Sequence, residues 1–327
     1  MNDPKTLHDA ILYFANPDNC VAYMVERRWP NGVVCPTCGR TDVAWVAKRR
    51  LWQCKNRHPK AQFSAKVGTV MEDSPIGLDK WLLAMWMVAN CKNGVSSWEM
   101  HRTLGVTQKT AWFLLHRIRL ALGEVPPVKL SGPGPKEVDE CFVGGTPKFM
   151  HAKRRMSLGT GIGGRTAKVP VMGMLDRDSR QVRAKVVPNV RRETLQNEIL
   201  RQIEKGSTIY TDNASTFDSL EKEYIHDTVN HVYEYVRGQV HTQGIENFWS
   251  CLKRSLKGTY VAVEPFHLDA YVAEQCFRYN NRATRENPLN DADRFAIAVS
   301  QIVGKRLTYS ELTGKVAKKS SGPSTQL

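Results

Sequence analysis

Long hydrophobic runs are missing from this 327-residue chain. The longest apolar stretch, Trp81 to Cys91, is far shorter than the roughly 20 residues that a membrane-spanning helix requires. No apolar segment of the signal-peptide kind opens the chain, and no heptad pattern predicts a coiled-coil partner. These absences exclude a membrane-spanning protein and favour a cytoplasmic one.

Acidic residues are also scarce relative to basic ones. The chain holds 32 Asp and Glu against 47 Lys and Arg, which gives a formal charge of +15. Such a field attracts polyanions through counterion release before any specific contact forms. Nucleic acid is therefore the leading partner. With 41% hydrophobic residues, the chain is long enough for two or three folded domains.

Eight cysteines without a secretory signal favour reduced thiols and metal ligation over disulfides. Cys35 and Cys38 form a Cys-Pro-Thr-Cys half-site, and Cys54 with His58 supplies a second pair. This spacing predicts a zinc ribbon at 35–58 with one structural ion, because four protein ligands leave no open position. His58 has a competing interpretation as a surface histidine, since three residues instead of two separate it from Cys54.

Three helical patterns follow the N-terminal segment 1–72, and they predict a helix-turn-helix domain over residues 73–123. The patterns cover 78–92, 95–104 and 107–122. The start of the third helix would present side chains to DNA bases, and its later arginines would contact phosphates. The predicted DNA contacts are Gln108, Lys109, Thr110, Arg117 and Arg119. A plain three-helix support is the alternative interpretation.

A Pro- and Gly-rich linker at 124–136 leads into a predicted catalytic domain over 137–300. Its pattern of alternating elements is typical of a mixed α/β fold. The predicted strands are 137–143, 168–175, 181–187, 207–211 and 227–232, and the predicted helices are 191–204, 215–224 and 244–257. A basic tail at 301–327 is predicted to be disordered.

A basic, Gly-rich insertion at 144–166 follows the first of these strands. It includes Lys153, Arg154 and Arg155, which are candidates for contacts with the DNA backbone. A solvated loop without a ligand is an equally good interpretation.

Three carboxylates stand in distinct settings within the predicted catalytic domain. Asp139 and Asp212 lie in or at the end of short strands, and Glu246 lies near the start of a helix. Two strands and a helix can bring these side chains together. Mg²⁺ prefers oxygen ligands, so the three acids with substrate phosphate oxygens suit one or two ions. Any single acid is more often a surface residue, so the prediction depends on the surrounding motifs.

The segment around Glu246 adds three auxiliary candidates. Lys253 and Lys257 fall on the Glu246 side of the helix, opposite an apolar face. His241 precedes the helix and can contact a phosphate, bond a carboxylate or play a structural role. An ordinary solvated face with helical charge pairs remains an alternative for the lysines.

Taken together, these motifs resemble those of bacterial insertion-sequence DDE transposases of the zinc-ribbon ISXO-type group. The resemblance spans about residues 15 to 290. The motifs that carry it are CPTC, CKNRH, GVTQKTAWFLLHRIR, VDECFVGG, IYTDNASTF and HTQGIENFWSCLKR. It implies an RNase H-like catalytic domain in which Asp139, Asp212 and Glu246 hold two Mg²⁺ ions.

The resemblance also implies an order of reactions. Water first cuts DNA at the terminal inverted repeats of a mobile element, and the exposed 3′-hydroxyl then joins target DNA. Both ends must be handled together, so we expect a homo-oligomer on double-stranded DNA, associated with the nucleoid. Two other functions compete: a DNA-binding regulator that has lost catalysis, and a structure-selective nuclease that cuts without joining.

Overall fold

The computed structural model describes residues 3–123, 128–144, 168–212, 215–218, 220–229 and 240–315. The chain divides into two compact units. The first unit comprises Met1–Ala89, Ser96–Leu122 and Asn290–Leu327, and the second comprises Asn90–Val95 and Gly123–Leu289. Within the described ranges, no helix combines the length and apolar character needed to cross a membrane.

The first unit begins with two helices and a small antiparallel sheet. Helices α1 (Leu7–Phe14) and α2 (Pro17–Arg28) precede strands β1 (Val43–Val46), β2 (Leu51–Cys54) and β3 (Gln62–Phe63). Aromatic side chains form much of the ribbon's interior: the Trp52 ring stacks on Phe63 and meets Trp29 edge-on. Because the sheet has so few strand residues, its apolar core is small.

Three further helices of the first unit follow: α3 (Leu78–Asn90), α4 (Ser97–Leu104) and α5 (Gln108–Leu122). Helix α4 ends at Gly105, whose φ of 60° suits a residue without a Cβ. Helix α5 begins three residues later at Gln108, and the hydroxyl of the preceding Thr107 accepts a hydrogen bond from the Thr110 N–H. The pair is therefore joined by a tight turn, as the sequence predicts.

The C-terminal segment of the described chain belongs to the first unit and is ordered. Helix α9 (Asp291–Ser300) buries Phe295 against Phe14 and Tyr23, and Val303 pairs with Thr69. A short helix, α10 (Tyr309–Leu312), follows. The prediction of disorder from residue 301 is therefore wrong for 301–315, and the predicted catalytic domain reached too far at 290–300. Residues 316–327 lie outside the described residues.

The second unit is built on a five-stranded sheet in the order β6-β5-β4-β7-β8. Strands β4, β5 and β6 form an antiparallel meander, whereas β7 and β8 continue the sheet parallel to β4. The strands are β4 (Lys136–Val143), β5 (Val169–Asp176), β6 (Val182–Val186), β7 (Thr208–Asp212) and β8 (Ile225–Val229).

Helices cover both faces of this sheet. Helix α6 (Arg192–Gln202) covers one face, while α7 (Gln243–Ser255) and α8 (Leu268–Asn280) cover the other. Because side chains alternate along a strand, Val138 joins the α6 core and Cys141 joins the α7 core. The unit therefore has a three-layer α/β arrangement, and β4 lies at its centre.

The predicted strands and most predicted helices of this unit are present, with boundaries shifted by a few residues. The predicted helix at 215–224 is wrong. Two short 3₁₀ turns, Ser215–Phe217 and Leu220–Lys222, occupy its place. Phe217 and Leu220 are spaced as in a helix and both are buried, but separate turns suffice to carry them into the core. Helix α7 continues as a π-helical turn through Tyr260.

Candidate functional site

The three predicted carboxylates converge at the centre of the second unit. β4 and β7 are parallel neighbours in which Glu137 is level with Tyr210. Two residues further along each strand, Asp139 and Asp212 are therefore level and on the same side of the sheet. Glu246 lies in the first turn of α7, the helix that covers this face.

A hydrogen bond ties the helix to the strand. The indole N–H of Trp249 donates to Asp139 Oδ2 at 2.9 Å, and Trp249 lies one helical turn after Glu246. One turn before Glu246, the Thr242 hydroxyl donates to Glu246 Oε1 at 3.1 Å. These bonds place the Glu246 carboxylate over the strand that carries Asp139.

The close approach of α7 to the sheet requires glycine at position 173. Gly173 pairs with Asp139 across β4 and β5. A Cβ at this position would lie 2.6 Å from the Trp249 ring and 2.9 Å from Ile245 Cδ1. Both contacts are closer than real side-chain atoms approach, so only glycine leaves room for the Trp249 indole.

We expect Gly173→Ala to destabilise the second unit by about 1–3 kcal/mol, the usual cost of overpacking a core. The added methyl group displaces Trp249, so Asp139 loses its indole hydrogen bond. Urea unfolding monitored by tryptophan fluorescence measures the loss. Gly258→Ala is the matched control because a Cβ there meets nothing within 4 Å; equal destabilisation by both changes would contradict the steric argument.

Two acidic side chains at and beside the site have raised pKa values. Burial, together with the charges of Asp212 and Glu246, raises the pKa of Asp139 to about 6, although the indole hydrogen bond from Trp249 lowers it. Burial, with the charges of Asp212 and Asp139, raises the pKa of Glu140 to about 7. Among the described residues, Glu140 Oε2 is buried without a hydrogen-bond partner. Ionised carboxylates this close together repel one another, and a bound cation would relieve that repulsion.

Glu140 is missing from the residues predicted to form the site. Strand alternation places the half-buried Glu140 on the opposite face of β4 from Asp139, so it is a neighbour of the site and not one of its three converging acids. The motif VDECFVGG draws attention to the aspartate instead.

The raised pKa of Asp139 predicts a pH dependence of stability when no divalent cation is present. The unfolded chain releases this proton near its ordinary pKa of 3.8, whereas the folded chain keeps it to about 6. Stability therefore falls as the pH rises between these values, by about 3 kcal/mol from this group. Thermal unfolding of wild type and Asp139→Asn across pH 4 to 7 measures the contribution; identical profiles would refute it.

A third acid of β4, Glu137, organises the start of α7. Its buried carboxylate accepts hydrogen bonds from Arg177 Nε at 2.6 Å and from the Ile245 backbone N–H at 2.8 Å. A Cβ at Gly244 would lie 2.9 Å from the same carboxylate. Glu137 thus binds an otherwise unpaired N–H at the helix N-terminus, where negative charge is favourable. The sequence patterns do not predict this contact.

The structure places His241 on this network. Arg177 Nη2 donates to His241 Nδ1 and to the His241 carbonyl oxygen, both at 2.7 Å. A guanidinium has no acceptor, so Nδ1 must accept and the ring proton resides on Nε2. His241 Nδ1 also lies 3.7 Å from Glu137 Oε1. His241 therefore belongs to the network of Glu137 and Arg177.

The two auxiliary lysines are both exposed. Lys253 lies close enough to β4 for its charge to lower the pKa of Cys141, although burial raises that pKa overall to about 11. Lys257 lies on the π-helical turn that extends α7. Lys253 thus faces the strand of Asp139.

The predicted DNA contacts of α5 divide into two groups. Lys109 is exposed and Thr110 is half-buried at the start of the helix, where Gln108 donates to the Ser97 hydroxyl at 2.8 Å. Arg117 and Arg119 are buried, with exposed fractions of 4% and 1%. Their prediction as phosphate contacts is corrected, because Arg117 donates to the Glu72 carbonyl and lies over the Trp81 ring.

The remaining predicted contacts, Lys153, Arg154 and Arg155, lie outside the described residues.

The four predicted zinc ligands form one cluster in the first unit. The ligand atoms of Cys35, Cys38, Cys54 and His58 all lie within 4.8 Å of one another. Cys35 Sγ is 3.4 Å from His58 Nε2, and Cys38 Sγ is 3.6 Å from Cys54 Sγ. Zinc–sulfur bonds of about 2.3 Å and zinc–nitrogen bonds of about 2.0 Å give tetrahedral edges of about 3.5–3.8 Å. The cluster therefore fits a structural zinc ion.

Two family models match the chain. The ISXO2-like transposase domain matches residues 129–280, which include the carboxylate site, and the transposase zinc-ribbon domain matches residues 15–56. The second match ends before His58.

Two curated relatives are similar in sequence. An uncharacterized protein in transposable element ISH50 of Halobacterium salinarum is 28% identical over 263 residues, covering 75% of this chain and 85% of the relative. An uncharacterized transposase-like protein of Haemophilus influenzae is 33% identical over 97 residues, covering 29% of this chain and 78% of the relative.

Among solved structures, a simian T-cell lymphotropic virus intasome in complex with a PP2A regulatory subunit gives a TM-score of 0.30 at 15% identity. The match covers 65% of this chain and 70% of that chain. A TM-score of this size does not establish a shared fold.

Proposed function

The chain belongs to the ISXO2-like family of insertion-sequence transposases, and on that premise we propose that it cuts and joins DNA at the ends of its element. The observation that carries the proposal is the convergence of Asp139, Asp212 and Glu246, with Trp249 bonding the strand to the helix. The reaction is metal-dependent hydrolysis followed by transesterification.

Two Mg²⁺ ions are the proposed cofactor, held by the three carboxylates. The donor set fits: it consists of oxygen ligands, which hard cations prefer. The crowded acids also fit, since the charges of Asp212 and Glu246 raise the pKa of Asp139. When bound, such ions activate the attacking oxygen and stabilise the leaving one. The protein's own residues supply orientation: Trp249 fixes Asp139, and Thr242 fixes Glu246.

The sheet order supports an RNase H-like assignment for the catalytic domain. A three-stranded antiparallel meander continues into two parallel strands, and helices cover both faces. In this assignment, Asp139 lies on the central strand, Asp212 at the end of its parallel neighbour, and Glu246 on the covering helix. The proposed domain begins at 137, after a linker at 124–136.

We further propose that α4 and α5 form a helix-turn-helix that reads the terminal inverted repeats through Gln108, Lys109 and Thr110. The tight turn at Gly105 and the exposed start of α5 support this role. The zinc ribbon assists the recognition. The partner is double-stranded DNA at the nucleoid, and a homo-oligomer brings two element ends together.

A strand-transfer assay tests the proposal. Purified protein is incubated with Mg²⁺, target DNA and a duplex that carries the end of the element encoding this chain. Wild type should give joined product, and Asp212→Ala should give none. Cleavage without joining would favour a structure-selective nuclease, and DNA binding without either reaction would favour a regulator.

A further inference from the structure

A cavity lined by arginines lies beside the N-terminus of α7, within the second unit. Its volume of about 360 Å³ equals the share of roughly twelve liquid water molecules. An adjoining cavity of about 300 Å³ shares the same three arginines but is also lined by Asp178 and Glu286. We name the cavity beside α7 the arginine basin. Its polar lining includes Arg177, Arg180, Arg282, His241 and Asn247.

The three arginines of the basin differ in their partners. Arg177 is committed to Glu137 and His241. Within the described part of the chain, neither Arg180 nor Arg282 has a carboxylate at ion-pair distance. The Arg282 guanidinium lies 3.7 Å from the centroid of the Tyr279 ring and donates to the Tyr279 carbonyl. Two cations therefore face the basin, and one of them is held in place by an aromatic ring.

The backbone at Arg180 adds an independent observation. Arg180 lies in the loop between β5 and β6, and its φ of 55° lies in the left-handed region. Glycine adopts this conformation without the steric cost that an arginine incurs. Residues held in such conformations cluster at ligand sites, where a side chain is needed in spite of the strain. The loop therefore presents a guanidinium where glycine would be easier to accommodate.

The donors of the basin match a phosphodiester group. Guanidinium forks bind phosphate oxygens in pairs, and they are more weakly hydrated than ammonium groups. The Arg177 bond leaves the ring proton of His241 on Nε2, which adds a neutral donor. The cavity beside α7 is lined by three arginines against one carboxylate, Glu137, which is already bonded. An anion with several acceptor oxygens is the ligand that this lining favours.

The arginine basin lies close to the proposed catalytic carboxylates. Glu137 precedes Asp139 by two residues on the same face of β4, a distance of roughly 7 Å along the strand, and Asn247 follows Glu246 directly. Charges on one DNA strand repeat every ~3.4 Å of helix axis. A strand whose phosphate meets Asp139 therefore places a nearby phosphate, about one or two nucleotides away, in the basin.

We propose that Arg180 and Arg282 bind backbone phosphates of the DNA strand adjacent to the bond that is cut. The inference rests on the proposed function, since it takes the carboxylates as the cleavage site. The basin holds the strand without reading bases, and it thereby positions the reacting phosphate.

The test compares Arg180→Gly and Arg282→Ala with Arg285→Ala in the full chain. Arg285 is an exposed arginine three residues after Arg282, and it does not line the basin. Arg180→Gly removes the charge but suits the left-handed backbone, so the loop is retained. Thermal unfolding should show Arg180→Gly to be at least as stable as wild type.

Binding of the element-end duplex is measured at several salt concentrations without divalent cations. Each basin variant should lower the slope of log K against log salt by about one, and weaken binding about eightfold near 0.1 M salt. Arg285→Ala should change neither. Equal effects of all three variants, or no effect of the basin variants, would overturn the proposal.

Duplexes with a single methylphosphonate locate the contact. The loss of affinity caused by substituting Arg180 or Arg282 should vanish when the neutral methylphosphonate lies within a few nucleotides of the cut. A loss that persists at every position there would overturn the assignment. An inorganic-phosphate arm at constant ionic strength separates the sources: competition at low concentration in wild type alone would show a free-phosphate site instead.

Cleavage with Mg²⁺ is scored separately. A salt-slope effect without cleavage supports phosphate binding by the basin, but it rejects the proposed function and with it the placement of the basin beside a cut bond. Cleavage without a salt-slope effect rejects the basin alone.

Discussion

Asp139→Asn, Asp212→Asn and Glu246→Gln should each lower DNA cleavage and joining by about 10³-fold or more, while the affinity for DNA stays within a few-fold of wild type. Metal ions contribute several kcal/mol to the stabilisation of charge in such reactions, and each 1.36 kcal/mol is worth about tenfold in rate. The substitutions remove one anionic ligand at nearly constant volume, so the fold is retained. The measurements are single-turnover cleavage and duplex binding without metal.

The control for this series is Asp227→Asn, an exposed aspartate in β8 of the same sheet. It loses the same charge away from the site and should keep wild-type cleavage. Removal of a repelling charge should also lower the pKa of Asp139 in Asp212→Asn, because Asp212 contributes to raising it. Wild-type cleavage by any one of the three variants would exclude that residue as a metal ligand.

Short-range motifs account for what the sequence predicts well. Each of Asp139, Asp212 and Glu246 stands in a motif that spans about a dozen residues, and each element forms as its local pattern indicates. Asp139 and Asp212 meet because β4 and β7 are parallel neighbours, and Glu246 joins them because α7 covers that face of the sheet. The zinc ligands can be predicted for the same reason, because CPTC and CKNRH are local patterns.

The contacts that position α7 cannot be predicted from local patterns. Glu137 bonds Arg177, 40 residues away, and the Ile245 N–H, 108 residues away. No periodicity links residues so distant in the chain. From the sequence alone, Glu137 therefore resembles an ordinary strand residue. Only the fold brings it to the N-terminus of α7. The same limit applies to Gly173, whose contact with Trp249 exists only after β5 pairs with β4.

The arginines of α5 show a different limit. Arg117 and Arg119 lie in a helix that begins at an exposed end, and the sequence predicts that both contact DNA phosphates. The preceding loop supplies the Glu72 carbonyl, and the Trp81 ring covers the Arg117 guanidinium. Amphipathic patterns describe one helix at a time, whereas burial depends on everything packed around it. An arginine on such a helix is therefore a weaker indicator of DNA contact than a lysine at its start.

Removal of zinc should unfold the ribbon. Strands of four, four and two residues, packed around a few aromatic rings, bury little apolar surface. Structural zinc contributes about 10–16 kcal/mol of apparent binding free energy in small domains, which is comparable with the entire stability of many proteins. After chelation, hydrogen exchange of the β1 and β2 amides should become fast, and the amides of β4 in the second unit should keep their protection.

Substitutions at His58 separate metal ligation from packing. His58→Cys should retain one zinc per chain, because four thiolates also form a tetrahedral structural site, whereas His58→Ala should lose zinc and ribbon protection together. Cys251→Ser is the control, since this partly buried thiol of the second unit lies outside the cluster. Because three thiolates remain in His58→Ala, full zinc content and intact protection in that variant would return His58 to the surface interpretation.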